Sequence, residues 1–393
     1  MNIASRKKIV LLGMMSRMPV AGVVWQTAHY LIGLRRLGYD VYYVEAHART
    51  PTMLMRSSDD DGALRAAEFI DGVMRRFDFG SQWAFHALHE GDNGRLFGLT
   101  DTQLRDLYAS AALIINLHGG TKPRPEMAAT GRLVYLETDP VQLQIELHEN
   151  NREAIEFLKP HVAFFTFGEN YGRRGCGLPV SEQFHFKPTR QPVVIDLWRG
   201  HEQLPGPVFT TIGNWEQNWR TIEFRGETYH WSKHLEFMKF LDLPAKTAAT
   251  FELALGSVTE HAAQMLTSHG WLVRDAMSFS MDPDAYRRYI AASRGEFTVA
   301  KDQNVRLRSG WFSDRSTTYL AAGRPVITQD TGFGCSLPTG EGLFAFSTIE
   351  QARDAVQTIN ADYGRHSRAA AGVAQDYFAH DMVLKPLLEQ VGV

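Results

Sequence analysis

The sequence predicts an α/β protein made of two doubly wound domains. Short apolar runs alternate with longer amphipathic segments along the chain, as expected for parallel strands joined by crossover helices. A stretch rich in proline and glycine divides this alternation into two similar halves. The chain has 393 residues, which is more than one hydrophobic core usually serves.

Composition narrows the class of protein. Apolar residues make up 44% of the chain and charged residues 22%, values typical of a folded globular protein. The net charge of −3 gives no broad attraction to nucleic acid or to an anionic membrane surface. No apolar run reaches the roughly 18 residues of a membrane span. We therefore expect a soluble protein with neither nucleic acid nor a membrane as its main partner.

The two cysteines, Cys176 and Cys335, lie far apart without a CxxC or Cys/His spacing. Neither a disulfide framework nor a structural zinc site is predicted. The histidines show no HExxH pattern, so we expect no protein-bound metal and no cofactor. The apolar run near the N-terminus lacks a cleavage signal and is interpreted as a first strand. A reducing, cytoplasmic location is the expectation.

Residues 1–190 form the first predicted domain. A helix predicted over 24–37 stops at Gly38, which suits a C-terminal cap. The strands predicted in this domain cover residues 7–13, 39–46, 112–117, 132–137 and 162–168.

The predicted linker covers residues 191–207, and a second domain follows over 208–393. The strands predicted in this second domain cover residues 208–215, 251–256, 270–275, 295–301 and 324–330. We expect the last helix to pack back on the first domain. In open sheets of this type ligands bind beyond the carboxyl ends of the strands, so the cleft between the domains is the expected site.

The stretch SGWFSDRSTTYLAAGRPVITQDTGF (309–333) contains a helix start, a helix stop, a short strand and a polar loop. Hydroxyls and free backbone N–H groups gather where the helix begins, and such a helix start favours an anion such as phosphate. The alternative is that Ser316 or Asp314 only caps the helix. At the carboxyl end of the next strand lie Gln329, Asp330, Thr331 and Gly332, and the polar side chains among them are suited to binding hydroxyls.

This stretch, with LPTGEGLFAFSTIEQARDAV (337–356), resembles the donor-binding segment of GT-B glycosyltransferases. The resemblance implies two Rossmann-like domains, with Ser316 and Thr317 on the diphosphate of a nucleotide sugar. It also implies that residues 329–332 meet the sugar. Many retaining members carry two glutamates where this chain has Gly310 and Thr318, so inversion is favoured. Glu341 is the candidate for the nucleoside contact, although it also suits an exposed turn.

A second donor candidate is Lys233, near a helix start in YHWSKHLEFMKFL (229–241), where a positive charge can neutralise a diphosphate. The alternative for Lys233 is a solvated helix lysine. Lys301 and Arg308 could also neutralise a diphosphate, but their positions in the sequence suit this role less well. Trp215 or Trp231 could stack on a base, but core packing more often explains a tryptophan.

Sugar transfer with inversion needs a base for the acceptor hydroxyl, and the first domain should supply it. His118 follows an apolar strand in INLHGG, and its ordinary pKa suits a base at neutral pH. Glu137 and Asp139 end the next strand and are alternative bases, although Asp139 also suits a helix cap. The residues expected to line the acceptor side of the cleft are Gly22, Gly119, Gly120 and Glu169.

The favoured function is therefore transfer of a sugar from a nucleotide diphosphate sugar to a hydroxyl or amine, without a metal. A nucleotide-sugar epimerase of the same architecture and a non-catalytic nucleotide-sugar-binding protein remain open. A dinucleotide oxidoreductase ranks low, because LLGMMSRMPVAG lacks the G-x-G-x-x-G pattern. Sugar transfer to DNA finds no support in the acidic charge balance. The sequence leaves open the donor base, the acceptor and the oligomeric state.

Overall fold

The computed structural model describes residues 6–47, 49–91, 93–200, 205–217 and 219–393. These residues form two large sheets and one small hairpin sheet. The first large sheet uses strands between residues 8 and 188, and the second uses strands between residues 208 and 346. The predicted α/β class with two parallel sheets is therefore correct.

The first sheet has eight strands in the spatial order β4-β3-β2-β1-β5-β6-β7-β8. Neighbouring strands are parallel except β3 and β4, which are antiparallel. The strands are β1 (Lys8–Leu12), β2 (Asp40–His47), β3 (Trp83–Ala87), β4 (Leu96–Gly98), β5 (Ala111–Leu117), β6 (Leu133–Glu137), β7 (Ala163–Thr166) and β8 (Phe186–Pro188).

The second large sheet is parallel throughout, in the order β13-β12-β9-β14-β15-β16. A short antiparallel hairpin, β10-β11, is inserted after its first strand. The strands are β9 (Val208–Asn214), β10 (Ile222–Phe224), β11 (Glu227–Tyr229), β12 (Thr250–Gly256), β13 (Leu272–Asp275), β14 (Gly295–Thr298), β15 (Val326–Gln329) and β16 (Leu343–Phe346).

Helices connect the strands and cover the sheets, and a π-helical turn (Ala374–Phe378) precedes the last of them. The helices are α1 (Ala21–Arg36), α2 (Gly62–Arg76), α3 (Asp101–Ser110), α4 (Pro125–Ala128), α5 (Gln142–His148), α6 (Arg152–Leu158), α7 (His234–Met238), α8 (Glu260–Ser268), α9 (Pro283–Ala292), α10 (Asp302–Arg306), α11 (Asp314–Ala321), α12 (Ile349–Ala361), α13 (Tyr363–Val373) and α14 (His380–Gln390). None of these described helices is long and apolar enough to cross a bilayer.

The central strands are apolar on both faces because helices cover both faces. In β1, Ile9 and Leu11 belong to the core on one face, and Val10 and Leu12 belong to the core on the other. All four side chains are fully buried. This double burial explains the continuous apolar run in the sequence, which differs from the alternation of a half-exposed strand.

The predicted strands agree with the structure to within a few residues, and the first helix begins three residues earlier than predicted. Gly38 ends that helix as predicted, with φ of +98° and an N–H that donates to the carbonyl of Arg35 at 3.0 Å. Sequence reasoning missed six strands: β3, β4, β8, β10, β11 and β16. Four of them, β4, β8, β10 and β11, have three residues each, too few to show a period.

Much of the predicted linker is held against other parts of the chain. Val193 forms a parallel bridge with Ala379, and its N–H donates to the carbonyl of Phe378 at 2.6 Å. The indole N–H of Trp198 lies 3.1 Å from Nε2 of His29 in α1. Residues 201–204 of this linker lie outside the described residues. The predicted linker therefore contacts both the C-terminal segment and the first helix.

The last helix, α14, packs against α1 of the first sheet's layer. Gly33 of α1 makes the close approach possible. A Cβ atom at this position would lie 2.7 Å from Cδ1 of Leu384 and 2.9 Å from Cβ of His380. The absence of a side chain at Gly33 therefore fixes how closely the chain end can return to the first sheet.

We expect Gly33→Ala to destabilise the protein by about 1–3 kcal/mol, because the added methyl group overpacks the contact with α14. The matched control is Gly72→Ala in α2, where an added Cβ meets nothing within 4 Å. That change should stabilise by roughly 0.5–1 kcal/mol, because alanine is the better helix former. Denaturant unfolding of both variants checks this packing, and an unchanged Gly33→Ala protein would contradict it.

Candidate functional site

The carboxyl ends of the two parallel sheets meet at Asp139, which follows β6. Its Oδ2 accepts a hydrogen bond from Nζ of Lys301 at 2.9 Å and one from Nη1 of Arg220 at 3.3 Å. The indole N–H of Trp231 donates to the same oxygen. Because all three donors belong to the second half of the chain, this contact joins the two sheet edges.

Asn170 makes a second bridge between the same edges. Its backbone N–H donates to the carbonyl of Ser309 at 3.1 Å. Its side-chain amide donates to the carbonyls of Arg308, at 3.1 Å, and Gly332, at 3.0 Å. Gly310 permits this approach, since its φ is +78° and a Cβ there would lie 2.5 Å from the Asn170 nitrogen. The loops around residues 309 and 332 are therefore fixed against the first half of the chain.

Helix α11 begins at Asp314, close to the predicted start. Its N-cap residue, Ser313, makes no side-chain capping bond. The Asp314 carboxylate accepts a hydrogen bond from the backbone N–H of Arg315, and burial raises the pKa of this carboxyl group. An anion at this helix N-terminus is favoured by the dipole, and the chain's own carboxylate already lies there.

Ser316 and Thr317, the two predicted phosphate ligands, are both buried in α11. The Thr317 hydroxyl donates to the carbonyl of Asp314 at 2.6 Å. The Ser316 hydroxyl is buried without a hydrogen-bond partner in the part of the chain that the structure describes. Neither residue caps the helix, so the simple capping alternative for Ser316 does not hold.

Arg315, beside them in α11, is the residue that faces the second sheet. Its guanidinium donates to Oε1 of Glu296 at 2.5 Å, to Oγ1 of Thr298 at 3.0 Å and to the carbonyl of Ile212. Glu296 is fully buried in β14, and Arg315 is nearly so. The buried ion pair fixes the orientation of the guanidinium beside the carboxyl end of β14.

Lys233 lies at the N-cap position of α7, next to this pair. Its Nζ lies 3.4 Å from Oγ1 of Thr298, and no ion pair to Lys233 is found among the described residues. Burial lowers the pKa of Lys233 well below its ordinary value, and repulsion from Arg315 and Lys301 adds to the effect. Lys233 is therefore a half-buried cation without a carboxylate of its own.

Arginines from the first half of the chain join this group of cations. Burial lowers the pKa of Arg17, and repulsion from Arg49 and Arg220 adds to this effect. Arg17 follows β1, whereas Arg220 belongs to the second half of the chain. The repulsion between them shows that they lie close together. Both halves of the chain therefore contribute positive charge to the junction between the sheets.

We call these basic residues the cation cluster. Its members are Arg17, Arg49, Arg220, Lys233, Lys301 and Arg315. The acidic residues with which the described members interact are Asp139, Glu296 and Asp314. Basic groups outnumber acidic ones in this set, and such an excess of positive groups suits a polyanion.

The loop after β15 is bonded to the protein itself. The predicted sugar ligand Gln329 donates to Oε2 of Glu236 at 2.6 Å. The Thr331 hydroxyl donates to the carbonyl of Trp311 at 2.6 Å. Asp330 pairs with Arg308 at 3.0 Å and accepts from the N–H of Gly332 at 2.7 Å. The three predicted side chains and the Gly332 backbone are therefore all bonded to other groups of the protein.

Glu341 has no described hydrogen bond or ion pair with the cation cluster. It is exposed, and its carboxylate pairs with the exposed Arg365 of α13. No described contact joins it to α11 or Lys233, so the turn interpretation fits its surroundings.

His118 lies where the sequence predicted, directly after β5. Its Nδ1 is 2.7 Å from Oγ1 of Thr138, and its Nε2 is buried without a hydrogen-bond partner within the described residues. Burial lowers the pKa of His118 to about 4, although the nearby Asp139 carboxylate opposes the shift. The imidazole is therefore neutral at pH 7. The following Gly119 and Gly120 pack against Tyr135 and Met14, respectively.

Glu137 is fully enclosed at the end of β6. Its carboxyl group accepts from Oγ1 of Thr166 at 2.5 Å and from Nε2 of Gln144 at 3.1 Å. Burial raises the pKa of Glu137 to about 8, and the nearby Asp139 carboxylate adds to this shift although the hydrogen bonds from Thr166 and Gln144 oppose it. At neutral pH it is therefore mainly a protonated acid.

The two remaining acceptor-side predictions differ in their surroundings. Glu169 pairs with Arg190 at 2.5 Å in a cavity that the C-terminal segment helps to line. Gly22 lines a narrow cavity with Gln26, Tyr286 and Thr317. The structure therefore brings Gly22 to the start of α11, and it places Glu169 against the C-terminal helices.

Sequence reasoning missed several members of this site, chiefly Arg315, Glu296, Arg220 and Arg17. A signal existed for Glu296, because a glutamate inside the apolar strand GEFT requires a buried partner. Arg315 lies inside the predicted helix start, where the sequence alone gives it no separate role. The two other arginines lie in loops whose positions depend on the tertiary fold.

Glu137→Gln should remove a pH dependence of stability. The pKa of Glu137 in the folded protein, about 8, exceeds its ordinary value of 4.5. Between pH 4.5 and pH 8 the native state therefore binds a proton that the unfolded state has lost. The stabilisation that this bound proton gives the native state is complete below pH 4.5. It is lost as the pH rises through 8, and the free energy of unfolding falls by up to about 1.4 kcal/mol per pH unit.

Denaturant unfolding at pH 5, 7 and 9 measures this effect, with the exposed Glu182→Gln as the control. We expect Glu137→Gln to match the wild type at pH 5 and to exceed it in stability at pH 9. A difference between the two proteins that stays constant with pH would contradict the buried, protonated Glu137.

Neither a family model nor a curated protein matches the chain. Solved structures do match over nearly the whole length. An alpha-glucosyltransferase in complex with UDP has a TM-score of 0.58 at 10% identity, covering 99% of this chain and 100% of that one. A sucrose-phosphate synthase from Thermosynechococcus elongatus has a TM-score of 0.54 at 12% identity, covering 98% of this chain and 99% of that one.

A glycosyltransferase from Rickettsia africae ESF-5 has a TM-score of 0.50 at 9% identity and covers 99% of this chain and 98% of that one. At such low identity the likeness shows the fold. The predicted GT-B fold is thereby confirmed.

Proposed function

We propose that the protein is a glycosyltransferase that moves a sugar from a nucleotide diphosphate sugar to a hydroxyl or amine acceptor. The observation that carries this proposal is the cation cluster at the junction of the sheets, with Lys233 lacking a carboxylate partner. The GT-B fold and the UDP bound to similar solved structures support it. UDP-sugars are therefore the first donors to test.

The donor diphosphate would bind between Lys233, Arg315 and Lys301. Departure of the nucleoside diphosphate leaves negative charge on its oxygens, and fixed positive groups stabilise that charge in the transition state. The ion pair with Glu296 holds Arg315 in place before the donor arrives. We propose that these side chains supply the charge that a metal ion supplies in other transferases.

The acceptor would bind on the side of the first sheet, near His118. Its neutral imidazole can take a proton from the acceptor hydroxyl, and Thr138 fixes the ring. We propose His118 as the base of an inverting transfer. Asp139 and Glu137 are weaker candidates, because Asp139 is bonded to two cations and Glu137 is mainly protonated.

We propose a separate role for each of three consecutive segments of the chain. Residues 1–190 would bind the acceptor, residues 191–207 would connect the halves, and residues 208–393 would bind the donor. The reducing surroundings expected from two free cysteines suggest that the reaction takes place in the cytoplasm.

A thermal-shift panel of nucleoside diphosphates and nucleotide sugars tests the donor, because a ligand of the native state raises the melting temperature. Product analysis with the best donor then separates transfer to an acceptor from epimerisation of the donor. The anomeric configuration of the product shows whether transfer inverts. A chain that binds no nucleotide in this panel would contradict the proposed function.

Lys233→Gln should lower the affinity for the nucleoside diphosphate by about tenfold to a hundredfold, because a buried positive contact to the phosphates is lost. Without nucleotide the variant should melt at the wild-type temperature or above it, since a half-buried unpaired charge has been removed. A loss of nucleotide binding with unreduced stability distinguishes a binding residue from a structural one.

Calorimetric titration measures the affinities, with the exposed Lys246→Gln as the matched control. That control should bind the nucleotide as the wild type does. Unchanged affinity in Lys233→Gln would remove Lys233 from the donor site.

His118→Asn should lower kcat by about 10²–10⁴, the usual contribution of a general base. Since burial lowers the pKa of His118 to about 4, the acidic limb of the wild-type pH–rate profile should fall near pH 4. Steady-state rates between pH 3.5 and 8 measure both effects, with the exposed His185→Asn as the control. A limb near pH 6.5, or an unimpaired His118→Asn enzyme, would contradict this assignment.

A further inference from the structure

The contact at Asp139 is unusual for a permanent ion pair. A single oxygen, Oδ2, receives the ammonium of Lys301, the guanidinium of Arg220 and the indole N–H of Trp231. The other oxygen, Oδ1, is buried without a partner within the described residues. A carboxylate that served only to hold the halves together would be expected to satisfy both oxygens, because an unmet buried acceptor is costly.

The cations around Asp139 are held by aromatic rings as well. Nζ of Lys301 lies 3.5 Å from the ring centroid of Trp231. The guanidinium carbon of Arg220 lies 4.8 Å from the same ring and 5.1 Å from that of Trp219. Cation–π contacts of this type keep both cations in place without any carboxylate. The cations would therefore keep their positions if Asp139 moved away.

Three positively polarised donors converging on one oxygen form an arrangement that suits a phosphate oxygen equally well. Lys301 is electrostatically coupled to Lys233, which belongs to the proposed diphosphate site and forms no ion pair among the described residues. The Asp139 oxygen therefore contacts two members of the cation cluster, one of which, Lys301, is coupled to Lys233. It occupies a position where a second anion would compete with it.

We propose that Asp139 is an internal competitor of the donor: its carboxylate takes the place of one phosphate oxygen and is displaced from Lys301 and Arg220 when the diphosphate binds. This inference rests on the proposed function. Displacement would free a carboxylate next to Thr138, the residue that fixes the ring of His118.

The proposal predicts an effect opposite in sign to that of an ordinary binding residue. Asp139→Asn removes the competing charge while keeping the shape, so the nucleoside diphosphate should bind about threefold to tenfold more tightly. The smaller neutral variant Asp139→Ser should bind more tightly as well. Inorganic pyrophosphate should show the same gain, because the competition concerns phosphate charge.

The experiment is a calorimetric titration of the full chain with UDP and with inorganic pyrophosphate. The matched control is Asp196→Asn, which breaks the exposed pair with Arg36 at 2.5 Å and should leave affinity unchanged. Thermal unfolding verifies that each variant is folded. Tighter binding by both Asp139 variants supports the inference.

Equal or weaker binding by the Asp139 variants, with the wild type still binding, would overturn the inference and leave the proposed function intact. That result would make Asp139 a structural bridge or a donor ligand. Absence of UDP and pyrophosphate binding in every protein, the wild type included, would contradict the proposed donor site itself. The inference would then fall together with it.

Discussion

Positive charge enclosed between two sheet edges is the constraint on which this structure depends. Burying a cation without a counter-ion disfavours the charged form, and this cost appears as the lowered pKa of Lys233. One buried carboxylate, Glu296, offsets part of the charge through Arg315, and Asp139 offsets part through Lys301. The Asp314 carboxyl group also lies near Lys233, but no ion pair to Lys233 is found within the described chain. A junction of this type is stabilised by an anion that arrives from outside.

The fold supplies the means to hold these charges close together. Both parallel sheets end their strands at the same junction, so side chains from distant parts of the sequence meet there. Gly310 and Gly332 allow the loops of the second half to approach Asn170 within hydrogen-bond distance. The segment between the two halves, residues 191–200, and the last helix α14 both pack near α1. These contacts join the two halves at a second place, away from the junction.

The sequence predicts the architecture more fully than the site. Double burial produces long apolar runs such as that of β1, and these runs identify the strands without knowledge of their neighbours. The start of α11 and the position of His118 after β5 are equally local features. Gln329 and Thr331 illustrate the limit, because the sequence does not predict that Gln329 donates to Glu236 and Thr331 to the carbonyl of Trp311. Which partner a polar side chain finds depends on segments far away in the chain, as Arg315 and Glu296 show.

The most direct test is a crystal structure of the protein with the nucleoside diphosphate that binds most tightly. The account predicts phosphate oxygens within hydrogen-bond distance of Lys233 and Lys301, with the Asp139 carboxylate turned away from Lys301. A nucleotide bound elsewhere, with Asp139 still bonded to Lys301 and Arg220 and with Lys233 still unpartnered, would contradict it.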